Sequence, residues 1–140
     1  MTKNKIVITS AVRTAVGSLG KSLKNTPAEI LGAEVISNAI KKSKLNVNDP
    51  DEVIMGQVLT GSSGQNPARQ AAIKSGMPKE KTAYIVNQVC GSGIRSMASG
   101  YQSIKAGDSK IVVAGGQENM SLAPHAIHLR DGKKLGDTDL

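Results

Sequence analysis

The residues with the clearest chemical potential are Cys90, Gly91, Ser92 and Gly93, which stand where an apolar run meets a helical pattern. A cysteine at a helix N-terminus lies among unpaired N–H groups at the positive end of the helix dipole, where a thiolate is favoured. Gly91 and Gly93 let the backbone approach a bound group, so their N–H groups can support an oxyanion, while Ser92 is expected to cap the helix. The pattern fits nucleophilic catalysis, but free cysteine is also often a small buried apolar residue, and spacing leaves both interpretations of Cys90 open.

Three other patterns give weaker indications of chemistry. Gly91 and Gly93 lack the third glycine of a dinucleotide fingerprint, so no Rossmann cofactor site is predicted. His125 and His128 are three residues apart, but no acidic cluster accompanies them and the single cysteine is distant in sequence, so we predict no metal site. Glu118, after a Gly-Gly pair, is expected to be a structural hydrogen-bond acceptor rather than a catalyst.

Short apolar runs alternate with helical patterns around these residues. We predict strands over 6–10, 53–59, 82–89 and 110–114. Thr26 and Asn66 each precede a proline and are expected to cap two helices, and a third helix follows the residues Cys90 to Gly93 and is ended by Gly107. The alternation and its short connections predict an α/β fold with a parallel-rich sheet in the order βαβαβαβ.

The third helix has few charges for a surface helix. Between Gly93 and Gly107 only Arg95 and Lys105 are charged, and small or apolar residues fill the remaining positions. A helix that is apolar or small on every face is usually packed on both sides. Four strands and two further helices can cover one side only, so we expect something else to cover the other.

Composition narrows the class of protein. The 140 residues are 39% hydrophobic and 21% charged, which is typical of a globular domain, and no apolar run approaches the roughly 20 residues of a membrane span. A single cysteine excludes an internal disulfide framework. Because the apolar run at 6–8 is too short for a signal peptide, the cytoplasm is the expected compartment.

The net charge of +7 does not by itself indicate a partner. Two aromatic residues are too few for a platform that stacks single-stranded nucleic acid, so no nucleic-acid or membrane partner is expected. Clustered lysines are typical of solvated helix ends. A phosphorylated ligand attracted by the positive field is the alternative explanation of these clusters.

Residues 86–96, VNQVCGSGIRS, resemble the acyl-cysteine segment of the thiolase family. Further segments resemble the family's first loop, its second strand and helix start, and the beginning of its loop domain: 13–20, 56–72 and 114–125. The resemblance covers essentially the whole chain in order. It implies the N-terminal half of a layered αβαβα fold, with an α/β domain over 1–121 and the start of the loop domain and tetramerisation region over 122–140.

Within the family, the segments look like those of biosynthetic acetyl-CoA acetyltransferases. The resemblance implies that Cys90 attacks the thioester carbonyl of acetyl-CoA and holds the acetyl group. A second acetyl-CoA then condenses with it to acetoacetyl-CoA, and thiolysis is the reverse. Coenzyme A thioesters are thus expected as substrates, with no bound cofactor, and the residues that hold coenzyme A stay unassigned.

The family's second half contributes a histidine and a second cysteine that have no counterpart here, since His125 and His128 match other positions. We therefore expect the activity to belong to a longer enzyme that forms a dimer or tetramer, and the chain alone to be inactive in sustained condensation. Three alternatives stay open. They are a degradative 3-ketoacyl-CoA thiolase for longer acyl chains, a non-catalytic fragment acting as an interaction subunit, and a redox-sensing cysteine protein.

Overall fold

A computed structural model describes residues 5–128. In chain order these residues form helix α1 (Ala28–Lys42), strand β1 (Glu52–Gly56), helix α2 (Pro67–Lys74), strand β2 (Thr82–Val86), helix α3 (Ser92–Ala106), strand β3 (Val112–Gly116) and a short 3-10 helix (Met120–Leu122). None of the helices in this part of the chain is long and apolar enough to cross a membrane.

The three strands form one parallel sheet in the order β2-β1-β3. Gly56 at the end of β1 pairs in register with Val86 and Gly116, so all three strands end at the same edge of the sheet. This arrangement confirms the predicted α/β class with a parallel sheet. β1 is shorter than the predicted 53–59 because, beyond Gln57, the amides of Val58 and Leu59 donate to the Glu118 carboxylate instead of to a strand.

The strand predicted at 6–10 does not form among the described residues. Val7 and Ile8 are 69% and 77% exposed. The segment instead contacts α1, where Ser10 Oγ donates to the Ala39 carbonyl at 2.9 Å. An apolar run becomes a strand only where a neighbouring strand takes its N–H and C=O groups, and in the described chain the sheet consists of β2, β1 and β3 without this segment. The prediction of this first strand was therefore wrong for the described chain.

Helices α1 and α2 lie on one face of the sheet, and α3 lies on the other. α1 and α2 pack against each other and against the face on which the β1 residues Val53 and Met55 lie, while α3 packs across β1 and β3. The main apolar core lies between the sheet and the first two helices, and consists of Ile36, Ile40, Val53, Met55, Ala68, Ala71, Ala72 and Met77. Because α2 contributes alanines, it can pack close to both α1 and the sheet.

The helix boundaries agree with the predicted caps in part. Asn66 caps α2 as predicted, since its Oδ1 accepts from the Arg69 amide at 3.1 Å. Gly107 ends α3 with φ of 88°, in the left-handed region that glycine adopts without strain. The predicted cap at Thr26 was wrong, because Pro27 holds the N-cap position of α1 and no side chain caps that helix.

Candidate active site

Cys90 lies on the turn that joins β2 to α3, at the edge where the parallel strands end. Gly91 follows it as the N-cap residue of α3. The thiol-bearing residue is exposed, so Cys90 is not a buried apolar residue. A cysteine that reacts with a ligand must be accessible, and this placement meets that requirement.

The turn that carries Cys90 has a strained backbone and is held by hydrogen bonds from a serine side chain. Val89 has φ of 50°, in the left-handed region, where a β-branched residue is a genuine outlier. Ser92 Oγ accepts from the Gln88 amide at 2.8 Å and donates to the Val89 carbonyl at 2.6 Å. Ser92 is thus the first residue of α3 and binds the turn that precedes it, whereas the sequence predicted it as the cap.

The two glycines beside Cys90 are in different situations. The Gly91 amide donates to the Gln88 carbonyl at 3.0 Å, so it is engaged inside the turn. A Cβ at Gly91 would lie 3.2 Å from that same carbonyl oxygen. At Gly93, in contrast, a Cβ would meet nothing within 4 Å. A side chain at Gly93 would therefore extend into open space, although the Gly93 nitrogen itself lies close to Gly56.

The end of β1 supports the start of α3 by direct backbone contact. A Cβ at Gly56 would lie 2.5 Å from the carbonyl carbon of Ser92 and 2.7 Å from the Gly93 nitrogen. One turn further along α3, the fully buried Ser96 donates to the Gly115 carbonyl at 2.7 Å. The position of Cys90 is thus set by backbone packing of α3 on both β1 and β3.

Two polar residues near the turn link the ends of the strands. Glu118 Oε2 accepts from the Val58 amide at 2.8 Å and from the Leu59 amide at 3.3 Å, which confirms its predicted role as a structural acceptor. Asn87 Oδ1 accepts from the Val89 amide at 3.0 Å, and its Nδ2 donates to the Val58 carbonyl at 3.3 Å. Sequence analysis missed Asn87, although an asparagine just after a strand is a common turn-forming residue.

The other candidate positions are a cleft and the two histidines. A cleft of about 460 Å³ is lined by the start of α1, the loop after β1 and residues near the 3-10 helix, among them Gln57, Leu59 and Asn119, but not Cys90. His125 and His128 are exposed. In the chain from 5 to 128, no three His, Cys, Asp or Glu side chains are grouped as a metal ion would require.

Fold and site together define an α/β domain that exposes a cysteine on a tight turn at the carboxyl edge of a parallel sheet. Residues 6–140 match the family model described as the N-terminal domain of thiolase. This chain belongs to the thiolase family and is an N-terminal portion of its fold, as the segments around Cys90 indicated.

Curated relatives agree with this assignment. Acetyl-CoA acetyltransferases of Rhizobium meliloti (strain 1021) and Shinella zoogloeoides are each 54% identical over 137 residues, which is 98% of this chain and 35% of each relative. The cytosolic acetyl-CoA acetyltransferase of Rattus norvegicus is 47% identical over 135 residues. The chain thus spans about a third of the length of these relatives.

Solved structures give the same result. The acetyl-CoA acetyltransferase of Bacillus anthracis is 36% identical with a TM-score of 0.86, and the match covers 95% of this chain and 34% of that one. Acat5 thiolase from Ascaris suum, solved in complex with coenzyme A, is 39% identical with a TM-score of 0.78, over 80% of this chain and 29% of that one. Membership of the family supports an acyltransferase enzyme.

Proposed function

We propose that this chain is the nucleophile-bearing part of an acetyl-CoA C-acetyltransferase, which condenses two acetyl-CoA molecules to acetoacetyl-CoA and catalyses the reverse thiolysis. The observation that carries the proposal is the exposed Cys90 on a strained turn at the start of α3. It occurs in a chain that is 54% identical over 137 residues to proteins with that activity in their name. The relatives' names also favour acetyl groups over the longer acyl chains of a degradative thiolase.

In the first step, the Cys90 thiolate attacks the carbonyl carbon of acetyl-CoA. The bond from that carbon to the coenzyme A sulfur then breaks, and coenzyme A leaves as a thiolate that takes up a proton. Negative charge develops on the carbonyl oxygen, and backbone N–H groups at a helix start stabilise such charge. We assign this role to the Gly93 amide, which is in the first turn of α3 and has no hydrogen-bond partner among the described residues, whereas the Gly91 amide supports the turn through its bond to Gln88.

In the second step, another acetyl-CoA loses a proton from its α-carbon, and the resulting carbanion attacks the acetyl-Cys90 carbonyl. A carbon–carbon bond forms, and the bond to Cys90 Sγ breaks. This step needs groups that move protons, and each typically contributes ~10²–10⁴-fold to the rate. The family's histidine and second cysteine have no counterpart among the 140 residues, so we propose that the chain alone stops after a slow acetylation of Cys90.

Intact-mass analysis of the purified chain after incubation with acetyl-CoA tests this proposal. Because Cys90 is the sole cysteine, the expected result is one thiol-bound acetyl group, sensitive to hydroxylamine, that is absent from the Cys90→Ser variant. No acetylation of the folded chain would contradict the role of Cys90. Sustained production of acetoacetyl-CoA would contradict the proposed need for further proton-transfer groups.

A further inference from the structure

We propose that Asn87 is a positioning residue for Cys90, which fixes the direction of the thiol by linking the strained residue Val89 to the loop after β1. The inference rests on the proposed function for its chemical meaning, since a fixed direction matters only if Cys90 attacks a bound thioester. It concerns a side chain that does not itself contact the reacting atoms.

The two contacts of Asn87 lead to different parts of the fold. Its Oδ1 accepts from the Val89 amide at 3.0 Å, which closes the turn, and its Nδ2 donates to the Val58 carbonyl at 3.3 Å, beyond the end of β1. A left-handed φ at a β-branched residue persists only where the surroundings hold it. Asn87 therefore holds Val89 in this conformation and also attaches the turn to a neighbouring strand end.

The partner at Val58 is itself fixed. Its amide donates to Glu118 Oε2 at 2.8 Å, and Glu118 is the second residue after β3. A continuous path of hydrogen bonds thus runs from β3 through the loop after β1 to Asn87 and Val89. It joins the carboxyl ends of all three strands.

The other hydrogen bonds of the turn do not extend to a neighbouring strand. Those from Ser92 and Gly91 connect only residues 88–92 to one another, so they hold the shape of the turn, while the packing of α3 on β1 fixes its Ser92 end. The bond from Asn87 to Val58 leaves the turn. We infer that its loss lets the segment between β2 and Ser92 shift, which carries Val89 and Cys90, while α3 stays packed on the sheet and the fold persists.

Two substitutions separate the contacts. Asn87→Ser keeps an oxygen that can accept from the Val89 amide, as in the weaker turns made by serine, but it is too short to reach Val58. Asn87→Ala loses both contacts. Asn38→Ala is the matched control, because the Asn38 side chain bonds only within the exposed face of α1, to Glu34.

Three measurements on the full chain follow from this design: the rate of Cys90 acetylation by acetyl-CoA, the rate of Cys90 alkylation by iodoacetamide, and hydrogen exchange at the Val89 amide. For Asn87→Ala we expect acetylation to slow by about 10–100-fold, since a small misplacement of a reacting group has effects of this size. Alkylation by the small reagent is expected to stay within about threefold, because it does not require a bound orientation. A purely structural role of Asn87 would not change the ratio of the two rates.

Hydrogen exchange completes the test. We expect the Val89 amide to exchange at least about tenfold faster in Asn87→Ala than in Asn38→Ala, and Asn87→Ser to keep part of the protection while acetylation still slows. Equal acetylation by Asn87→Ala and Asn38→Ala would overturn the inference and leave the proposed function intact. If Asn87→Ala fails to fold, acetylation by Asn87→Ser at the rate of the control overturns it.

A wild-type chain that is not acetylated contradicts the proposed function instead. In that case hydrogen exchange still decides the positioning role. Val89 exchange that is unchanged in Asn87→Ala would overturn it, and exchange that is accelerated would support it. The two failures are therefore distinguishable.

Discussion

Val89 has a strained backbone conformation in the turn that carries Cys90. Its φ is 50°, and the residue is 65% exposed, so a substitution there removes little packing. Asparagine tolerates the left-handed region better than a β-branched residue does. We expect Val89→Asn to raise the free energy of unfolding by about 1 kcal/mol.

Urea unfolding of the chain measures this effect. Val16→Asn is the control, because Val16 is also exposed but does not have a positive φ. A Val89→Asn chain that is no more stable than the control chain would show that the turn is not a source of strain.

Asp51 gives the stability of the fold a dependence on pH. Its Oδ2 accepts from the Lys110 amide at 2.8 Å and the Ile111 amide at 3.1 Å, and these two bonds hold the pKa of the carboxyl below its ordinary value of 3.8. The pKa of Asp51 is lower in the folded chain than in the unfolded chain. Its contribution to the free energy of unfolding is therefore complete above the pKa of the unfolded chain, and it is lost as the pH falls through the pKa of the folded chain. We expect Asp51→Asn to be about 0.5–1.5 kcal/mol less stable than wild type at neutral pH.

The measurement is urea unfolding of both chains across a pH series. The stability difference between wild type and Asp51→Asn is expected to be constant above about pH 5 and to shrink below pH 3.8. A difference that stays constant down to about pH 2.5 would contradict the role of the charged carboxylate.

Some residues of the site could be predicted from the sequence and others could not. Cys90 was found because a nucleophile, two glycines and a strand-to-helix change are all local features of the chain. The role of Asn87 depends on the Val58 carbonyl, which is 29 residues away in sequence, and no local pattern contains that contact. The assignment of oxyanion donors to Gly91 and Gly93 stays a prediction.

At the scale of elements, the contact between β1 and α3 determines where Cys90 stands. A Cβ at Gly56 would come within 2.5 Å of the Ser92 backbone, which cannot move aside as a flexible side chain would. We expect Gly56→Ala to destabilise the chain by about 1–3 kcal/mol, as overpacking does, and to slow acetylation of Cys90.

Gly115→Ala is the matched control for this prediction. Gly115 lies in β3 beside β1, and a Cβ there would meet only Met55 Sδ, at 3.8 Å. Its melting temperature is expected to stay close to that of wild type. Equal melting temperatures for the two variants would contradict the proposed contact between β1 and α3.

The order of elements was largely predictable, because the helices and the three strands of the sheet carry their own patterns and end signals. What failed was the segment at 6–10, whose apolar pattern is that of a strand but which has no partner strand among the described residues. The orientation of α3 was also not evident from composition. It places small residues, Ser92, Ser96 and Gly100, against the sheet and leaves larger apolar residues outside.

At the scale of the whole molecule, the outer face of α3 is the main uncovered apolar surface adjoining the site. Ile94 and Met97 are 76% and 47% exposed, and Tyr101 is exposed beside them. The sequence led us to expect that something covers this face, and the dimer or tetramer stays a prediction. The domain boundary at 121 and 122 also stays a prediction, and residues 129–140 of the second segment lie outside the described part of the chain.

Because exposed apolar surface generally promotes association, we expect the chain by itself to associate at concentrations on the order of tens of micromolar. The double variant Ile94→Glu, Met97→Lys removes the two apolar side chains, and because it adds one charge of each sign the net charge stays +7. A glutamate in the first turn of α3 also suits the positive end of the helix dipole. We expect the variant to sediment as a monomer where the wild-type chain forms larger species.

The control for this last experiment is Ser37→Glu, Asn38→Lys, which places the same charge pair on the exposed polar face of α1. This control is expected to associate like wild type, because α1 already buries its apolar face against the core. If wild type, control and variant all sediment as monomers, the face of α3 does not drive association. If control and variant both become monomeric, the added charges rather than the lost apolar surface are responsible.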